Sequence, residues 1–289
     1  MNPLQGASKA ATPAKQCGLV GMYDMLTLMR KNHFAPIVYA DLYCGSGTNH
    51  IGGEVEISGS PISMLEGIRL ATSRMSAPPD RRRRILFNDI MAERSQRQLP
   101  AHVEAWQRRN GLPVDPHKLQ IPLKSGHMFR SPISYEAMPA DSAVEMLGHA
   151  INSGYHVIAA VDPNGPKDAP WQKLRNLFDR RSSRMELIIH ISATTLKRVA
   201  KARSGVAFDF APMPDHIADL LEKFQGAGGW IREQVGKDQW TMLLLSKYPP
   251  RNGWNTKTGP KFFLMHSGEG KDLIHYLSTT AKEREALGL

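Results

Sequence analysis

A chain of 289 residues with 41% hydrophobic content buries one substantial core and leaves room for insertions, so a single elaborated domain is expected. A formal charge of +10 favours polyanionic partners, nucleic acid first, because each Lys or Arg set on a phosphate releases counterions. No apolar run approaches the roughly 18 residues that span a bilayer, and Cys17 and Cys44 stand in unlike settings, so neither a membrane span nor a structural disulfide is expected and a reducing cytoplasm fits.

Residues 1–17, rich in Ala, Pro, Lys, Gln and Ser, offer too little apolar surface to offset ordering entropy and read as a flexible tail. From Leu19 to Lys31 the apolar residues Leu19, Met22, Leu26 and Met29 recur at helical spacing. Ala35 to Leu42 is a buried strand carrying Asp41 at its carboxyl end, followed by the turn Tyr43-Cys44-Gly45-Ser46-Gly47. Thr48 to Ile57 is an insertion. Ser58-Gly59-Ser60-Pro61 then supplies hydroxyl caps and a proline for a helix over Ile62 to Thr72.

The basic run Arg81 to Arg84 leads into a short strand, Ile85-Leu86-Phe87, ending in Asn88-Asp89. A polar helix over Met91 to Asn110, a weaker strand at Lys118 to Leu123 and a helix at Asp141 to Asn152 follow. The apolar run Val157 to Val161 ends in Asp162-Pro163-Asn164-Gly165. Beyond it come a helix at Trp171 to Phe178, a strand at Glu186 to Ile191, a basic helix at Leu196 to Ala202, strands at Thr241 to Ser246 and Phe262 to His266, and a terminal helix from Asp272. Residues 205–260 read as an insertion or as substrate-facing elements. The alternation implies an α/β fold of about seven mostly parallel strands covered by helices on both faces, with an antiparallel edge expected at the end.

In an open parallel sheet, ligands sit outside the carboxyl ends of the strands, so Asp41, Asp89 and Asp162 line one rim. Gly45 and Gly47 permit positive backbone angles and close ligand approach. The dinucleotide fingerprint wants a third glycine where this chain has His50. A carboxylate at Asp41 also suits a cationic ligand end and would face a diphosphate unfavourably. The site therefore favours S-adenosylmethionine over a nicotinamide, with Asp41, Gly45 and Gly47 at its amino-acid end and Asp89 accepting from the ribose diol. Two plainer readings compete: a ligand-free structural turn at the glycines, and a helix N-cap at Asp89.

Asp162 and the Pro163 carbonyl can accept both N–H groups of an exocyclic base amine and aim its lone pair at a methyl group. An ordinary Asp-Pro turn is the alternative. No histidine makes a spaced metal set with cysteine, so no metal site is expected, and His190 inside an apolar strand reads as a satisfied core residue.

The chain resembles the three-Cys-motif partner (TcmP) proteins through Tyr39-Ala40-Asp41-Leu42-Tyr43-Cys44-Gly45-Ser46-Gly47, Gly59-Ser60-Pro61, Asp162-Pro163-Asn164-Gly165 and the surrounding strand order. That resemblance implies a Rossmann-like class I methyltransferase sheet and S-adenosylmethionine as cofactor, and leaves the substrate open. The last motif also resembles the Asp-Pro-aromatic-Gly loop of tRNA guanine-N2 methyltransferases and, more loosely, the Asp-Pro-Pro-aromatic loop of DNA adenine-N6 enzymes. Asn164 stands where those families carry an aromatic or a second proline, leaving Trp171 or Tyr43 to supply a stacking platform. The expected function is methylation of an amine nitrogen in DNA or RNA, with Asp162, Pro163 and Asn164 as the catalytic set. The alternative is a noncatalytic nucleic-acid or protein-partner module on the same sheet.

Other features bear on a polyanion partner. The basic clusters Arg81 to Arg84, Arg180 to Arg184 and Lys197 to Arg203 form either a backbone-tracking groove or solvated faces. Trp230, Trp240 and Trp254, with Tyr248 and Arg251, can stack bases, although core packing explains Trp240 more cheaply.

Overall fold

The computed structural model describes residues 11–30, 35–51, 55–75, 82–163, 169–180, 184–192, 228–233, 240–247, 254–255 and 261–278. The chain divides into two compact units, Met1–Ala160 and Val161–Leu289. Twelve strands and six α-helices are described, more strands than the expected seven or so. No described helix is long and apolar enough to cross a membrane.

The first unit runs α1 (Ala11–Met29), β1 (Ile37–Asp41), β2 (Thr48–Ile51), β3 (Val55–Ser58), α2 (Ser60–Ser73) and β4 (Arg83–Asn88). A π-helical stretch (Glu93–Gln98), α3 (Leu99–Arg109), β5 (Lys118–Pro122), β6 (Met128–Glu136), α4 (Ala140–Asn152) and β7 (His156–Val161) follow. Its strands lie in the order β7-β1-β4-β6-β5. β1 is parallel to both β4 and β7, and β4 is parallel to β6. β5 closes the edge antiparallel to β6. Every residue of β1 and β7 is buried, which is why both read as unbroken apolar runs rather than alternating ones.

The first helix starts at Ala11 rather than near Leu19, and Gln16 is buried with its Oε1 2.6 Å from the Ser63 hydroxyl of α2. α1 and α2 approach closely because α2 carries a glycine at the crossing: a Cβ on Gly67 would lie 2.6 Å from the Val20 carbonyl oxygen. The N-cap of α2 is Gly59, without a side-chain cap, where hydroxyl caps were expected. Pro61 does occupy the first turn, where its missing N–H costs nothing. The inserted stretch is the hairpin β2–β3.

β6 is a strand that the sequence did not suggest. Its alternation is regular, with Phe129, Ser131 and Ile133 inward and Arg130, Pro132 and Ser134 outward, but a proline in the middle argues against an interior strand. The conflict resolves in the register, because the β4 ladder begins at Ile133, one residue past Pro132.

The second unit holds α5 (Trp171–Asp179), β8 (Met185–Ser192), β9 (Gly228–Arg232), β10 (Trp240–Ser246), β11 (Trp254–Asn255), β12 (Lys261–Leu264) and α6 (Gly268–Ser278). Its strands lie in the order β11-β12-β9-β10-β8, and the ladders joining β10 to β8, β10 to β9, β12 to β9 and β11 to β12 are antiparallel. The fold class is thus α/β with a mixed sheet, and the mostly parallel expectation holds only for the core of the first unit. For β9–β10 and β11–β12 the reason is local, because the short returns from Arg232 to Trp240 and from Asn255 to Lys261 leave no room for the helical crossover that parallel pairing needs. The expected basic helix at Leu196 to Ala202 and most of 205–260 lie outside the described residues.

Candidate functional site

In the first unit the parallel strands progress outward on one side, β1 to β4 to β6, and the chain then returns to place β7 on the other side of β1. The strand order reverses between β1 and β7, and such a reversal opens a crevice at the carboxyl ends of the strands. Asp41 sits at that end of β1, opposite Ala160 in the β7 register, fully buried.

The loop after Asp41 is held residue by residue. The Tyr43 N–H donates to Asp41 Oδ1 at 3.1 Å, a local turn of the kind Asp favours. The Leu42 N–H donates to the Ala160 carbonyl at 3.1 Å and the Cys44 N–H to the Asn88 carbonyl at 2.9 Å, so the loop extends the pairing of β1 with both neighbours. Gly45 takes φ +60° and Gly47 takes φ +93°, a region L-residues adopt only under strain. The Gly45 N–H donates to Asp89 Oδ2 at 3.2 Å. The Gly47 carbonyl accepts from Gly59 N–H at 2.7 Å, tying the glycine loop to the start of α2.

Asp89, at the end of β4, is largely buried. Besides Gly45 it accepts the Met91 N–H on Oδ1 at 2.8 Å, and Arg94 Nη1 lies 3.9 Å from Oδ2. Each oxygen thus has one protein N–H donor, and a carboxylate with about four acceptor sites keeps room for a diol. The cap-like and ligand-binding readings of Asp89 are therefore compatible. Ile90 and Met91, next along the chain, are the exposed apolar residues of this rim, with Ile90 72% exposed.

Two supporting residues escaped the sequence reading. Asn88 is buried and joins three segments: its Nδ2 donates to the Leu42 carbonyl at 3.3 Å and the Met138 carbonyl at 3.1 Å, while its Oδ1 accepts the Met138 N–H at 3.2 Å. His102 of α3 has Nδ1 2.6 Å from the Ser46 carbonyl, and since a carbonyl only accepts, that nitrogen carries the proton. The available signal for Asn88 was a polar residue closing an apolar strand. His102 had none.

The electrostatics of the loop are acidic. Burial first, then Asp41 and Asp89, push the Cys44 thiol well above its ordinary range, so it stays neutral. Burial, then Asp41 and Tyr39, do the same to the Tyr23 phenol, whose hydroxyl donates to the Ala40 carbonyl. Among the described residues no group of three or more His, Cys, Asp or Glu gathers as a metal site.

In the second unit Asp162 follows the end of β7, and its Oδ1 lies 2.7 Å from His190 Nδ1 on β8. The two side chains are 21% and 20% exposed, so His190 is at the edge of the interior rather than within it. His190 is opposite Met242 on β10, and its ring centroid is 5.5 Å from that of Trp240, two residues back on the same face. Arg232 of β9, buried, sets its guanidinium 4.1 Å from the Trp240 ring centroid. Pro163 is described; Asn164 and Gly165 lie outside the described residues. Trp171 is buried at the start of α5. Trp254 lies in β11, whereas Tyr248 and Arg251 lie outside the described residues.

No protein-family model and no curated protein matches the chain. Among solved structures it is similar to LPL1258 of Legionella pneumophila, a DUF519 family protein, at 10% identity and TM-score 0.47, covering 84% of this chain and 88% of that one. It is similar to a precorrin-6y C5,15-methyltransferase of Geobacter metallireducens at 10% identity and TM-score 0.34, covering 78% and 87%. The third likeness is to monomeric WbdD, at 13% identity and TM-score 0.39, where 88% of this chain spans 45% of that protein. None of these superpositions reaches a TM-score of 0.5, so the functional reading rests on the site itself.

Proposed function

We propose that the first unit binds S-adenosylmethionine and that the protein transfers its methyl group to an amine nitrogen of a nucleic-acid base. The observation that carries the cofactor reading is the buried Asp41 carboxylate at the strand-order reversal, followed at once by a glycine loop. An acid there attracts the cationic amino group and sulfonium of S-adenosylmethionine and repels a diphosphate. Gly45 supports close approach, since a Cβ built on it would meet nothing within 4 Å. Asp89 takes the ribose diol, and exposed Ile90 and Met91 offer apolar cover to a flat ring.

Asp162, Pro163 and Asn164 are assigned to the acceptor. In-line transfer needs an amine lone pair aimed at the methyl, and acceptors for its N–H groups supply that aim. The motif resemblance to three-Cys-motif partner proteins and the net charge of +10 support the methyltransferase class and the polyanionic acceptor.

Calorimetric titration with S-adenosylmethionine, S-adenosylhomocysteine and NAD tests the reading. Micromolar binding of the first two, weak binding of NAD and loss of all binding in Asp41→Ala are the expected outcome. Tighter binding of NAD than of S-adenosylmethionine, or full affinity in Asp41→Ala, rejects it.

A further inference from the structure

Asp41, Asp89 and Asp115 share one device: each carboxylate accepts the backbone N–H two residues on, at 3.1, 2.8 and 2.9 Å. Asp162 has a different partner in view, an imidazole from another strand at 2.7 Å. That imidazole is itself held: it lies across from Met242 in an antiparallel ladder and beside a tryptophan that carries a buried arginine on its ring. Within the second unit, a chain of contacts from Arg232 through Trp240 and His190 to Asp162 thus spans β9, β10 and β8. Such packing fixes a ring orientation, and a ring fixed with Nδ1 toward a carboxylate donates from Nδ1 in both its charged state and its Nδ1–H neutral state.

We infer that His190 is a positioning residue for methyl transfer, acting through Nδ1 to hold the Asp162 carboxylate oriented toward the acceptor amine. This rests on the methyltransferase reading above. In the step it serves, the amine lone pair forms a bond to the methyl carbon while the methyl–sulfur bond breaks, its electron pair passing to sulfur to leave a neutral thioether. The methylated nitrogen then gives one proton to the Asp162 carboxylate, which releases it to solvent. A donor at Nδ1 serves this step by fixing the carboxylate so that its accepting oxygen faces the amine.

The two side-chain amides separate the two nitrogens. Asparagine places its amide nitrogen where Nδ1 stands, and glutamine reaches toward the position of Nε2. Tritiated-methyl S-adenosylmethionine, with deproteinised total RNA and genomic DNA as acceptors, gives the transfer rate, and calorimetry gives cofactor affinity for the same preparations. His190→Gln and His190→Leu are expected to lose about 100-fold in transfer, the scale of a misplaced reacting group. His190→Asn should keep most of the rate, and all three should bind S-adenosylmethionine as the wild type does. Wild-type rates in His190→Gln, or a His190→Asn as impaired as His190→Leu, overturn the role of Nδ1; the comparison of the two amides stands even where the leucine variant does not fold. A wild-type protein that binds the cofactor and labels neither polymer overturns the inference while leaving the cofactor site standing. Absence of cofactor binding brings down the reading beneath it as well.

Discussion

The two glycines of the loop answer differently to the same added methyl group, and the difference can be worked from the geometry. A Cβ on Gly47 would lie 2.5 Å from Leu99 Cδ1 and 3.4 Å from His102 Cβ, with φ at +93°. Ordinary carbon contacts are about 3.5 to 4.0 Å, so Leu99 must move by about 1 Å. Leu99 is fully buried, and its move meets a packed core rather than solvent. Overpacking costs about 1–3 kcal/mol, and the left-handed backbone adds about 1–2 kcal/mol. Gly45, at φ +60° with no atom within 4 Å of its notional Cβ, carries only the backbone strain of about 1–2 kcal/mol. Gly47→Ala should therefore lower stability by about 2–5 kcal/mol and Gly45→Ala by about 1–2 kcal/mol. Urea unfolding followed by far-UV circular dichroism measures both, provided the slopes agree. Equal midpoints for the two variants would refute the reasoning, and so would a larger loss in Gly45→Ala. On the proposed cofactor reading the order inverts for binding: Gly45→Ala keeps its fold and loses affinity, because its methyl fills the space the ligand enters.

Asn88→Leu removes hydrogen bonds to Leu42 and Met138, leaving the buried Leu42 carbonyl and the half-buried Met138 backbone without that partner, an expected loss of about 1–3 kcal/mol by thermal melt; a change under about 0.5 kcal/mol rejects its role as a clamp. The neutral thiol of Cys44 should resist a disulfide reagent in the native state while exposed Cys17 reacts, and equal rates would show that the loop opens readily. Cys44 and Tyr23 are held in the fold above their unfolded values, so their contribution is full below about pH 8.5 for the thiol and about pH 10 for the phenol, and fades as pH rises toward the folded values. Alkaline destabilisation should accordingly be shallower in Tyr23→Phe than in the wild type above about pH 10, and a parallel decline would assign the effect elsewhere.

Half of the site was legible because its signals are short-range. β1 and β4 announce themselves as apolar runs, and a run that stops at Asp41 or at Asn88-Asp89 marks the rim directly. The glycines follow at once, and the positive φ they were expected to permit is the φ they take. What failed to show was set by pairing across distance. β6 was hidden by Pro132, whose position just outside the β4 ladder no local rule supplies. β9 was hidden by two glycines at its start and by Arg232, whose burial against Trp240 makes sense only once β10 lies beside it. His190, read as a satisfied core residue from its apolar strand, stands instead at the edge of the interior, and the partner that satisfies it, Asp162, comes from outside that strand. The antiparallel edge expected at the end of the sheet extends through every described ladder of the second unit, an extent that apolar periodicity does not report because strand direction depends on connections.

Net charge carries less weight than it first does once its cations are placed. In the run Arg81 to Arg84, Arg82 and Arg84 are exposed while Arg83 is buried with its guanidinium 4.7 Å from the Phe129 ring centroid. That is strand alternation, not a continuous basic face. Along the helical segments Arg69 meets Glu66, Arg97 meets Glu93, Arg108 meets Glu104 and Arg175 meets Asp179, each one turn away. Pairs of this kind partly cancel and contribute a few tenths of a kcal/mol each, about 0.3–0.5 by measurement on helices. They describe a solvated helix surface as well as they describe a phosphate track. None of these paired cations aims a polyanion; on the proposed reading, discrimination falls to the acids, to Asp41, buried at the carboxyl end of β1, for the cationic end of the cofactor, and to Asp162, in contact with His190, for the amine.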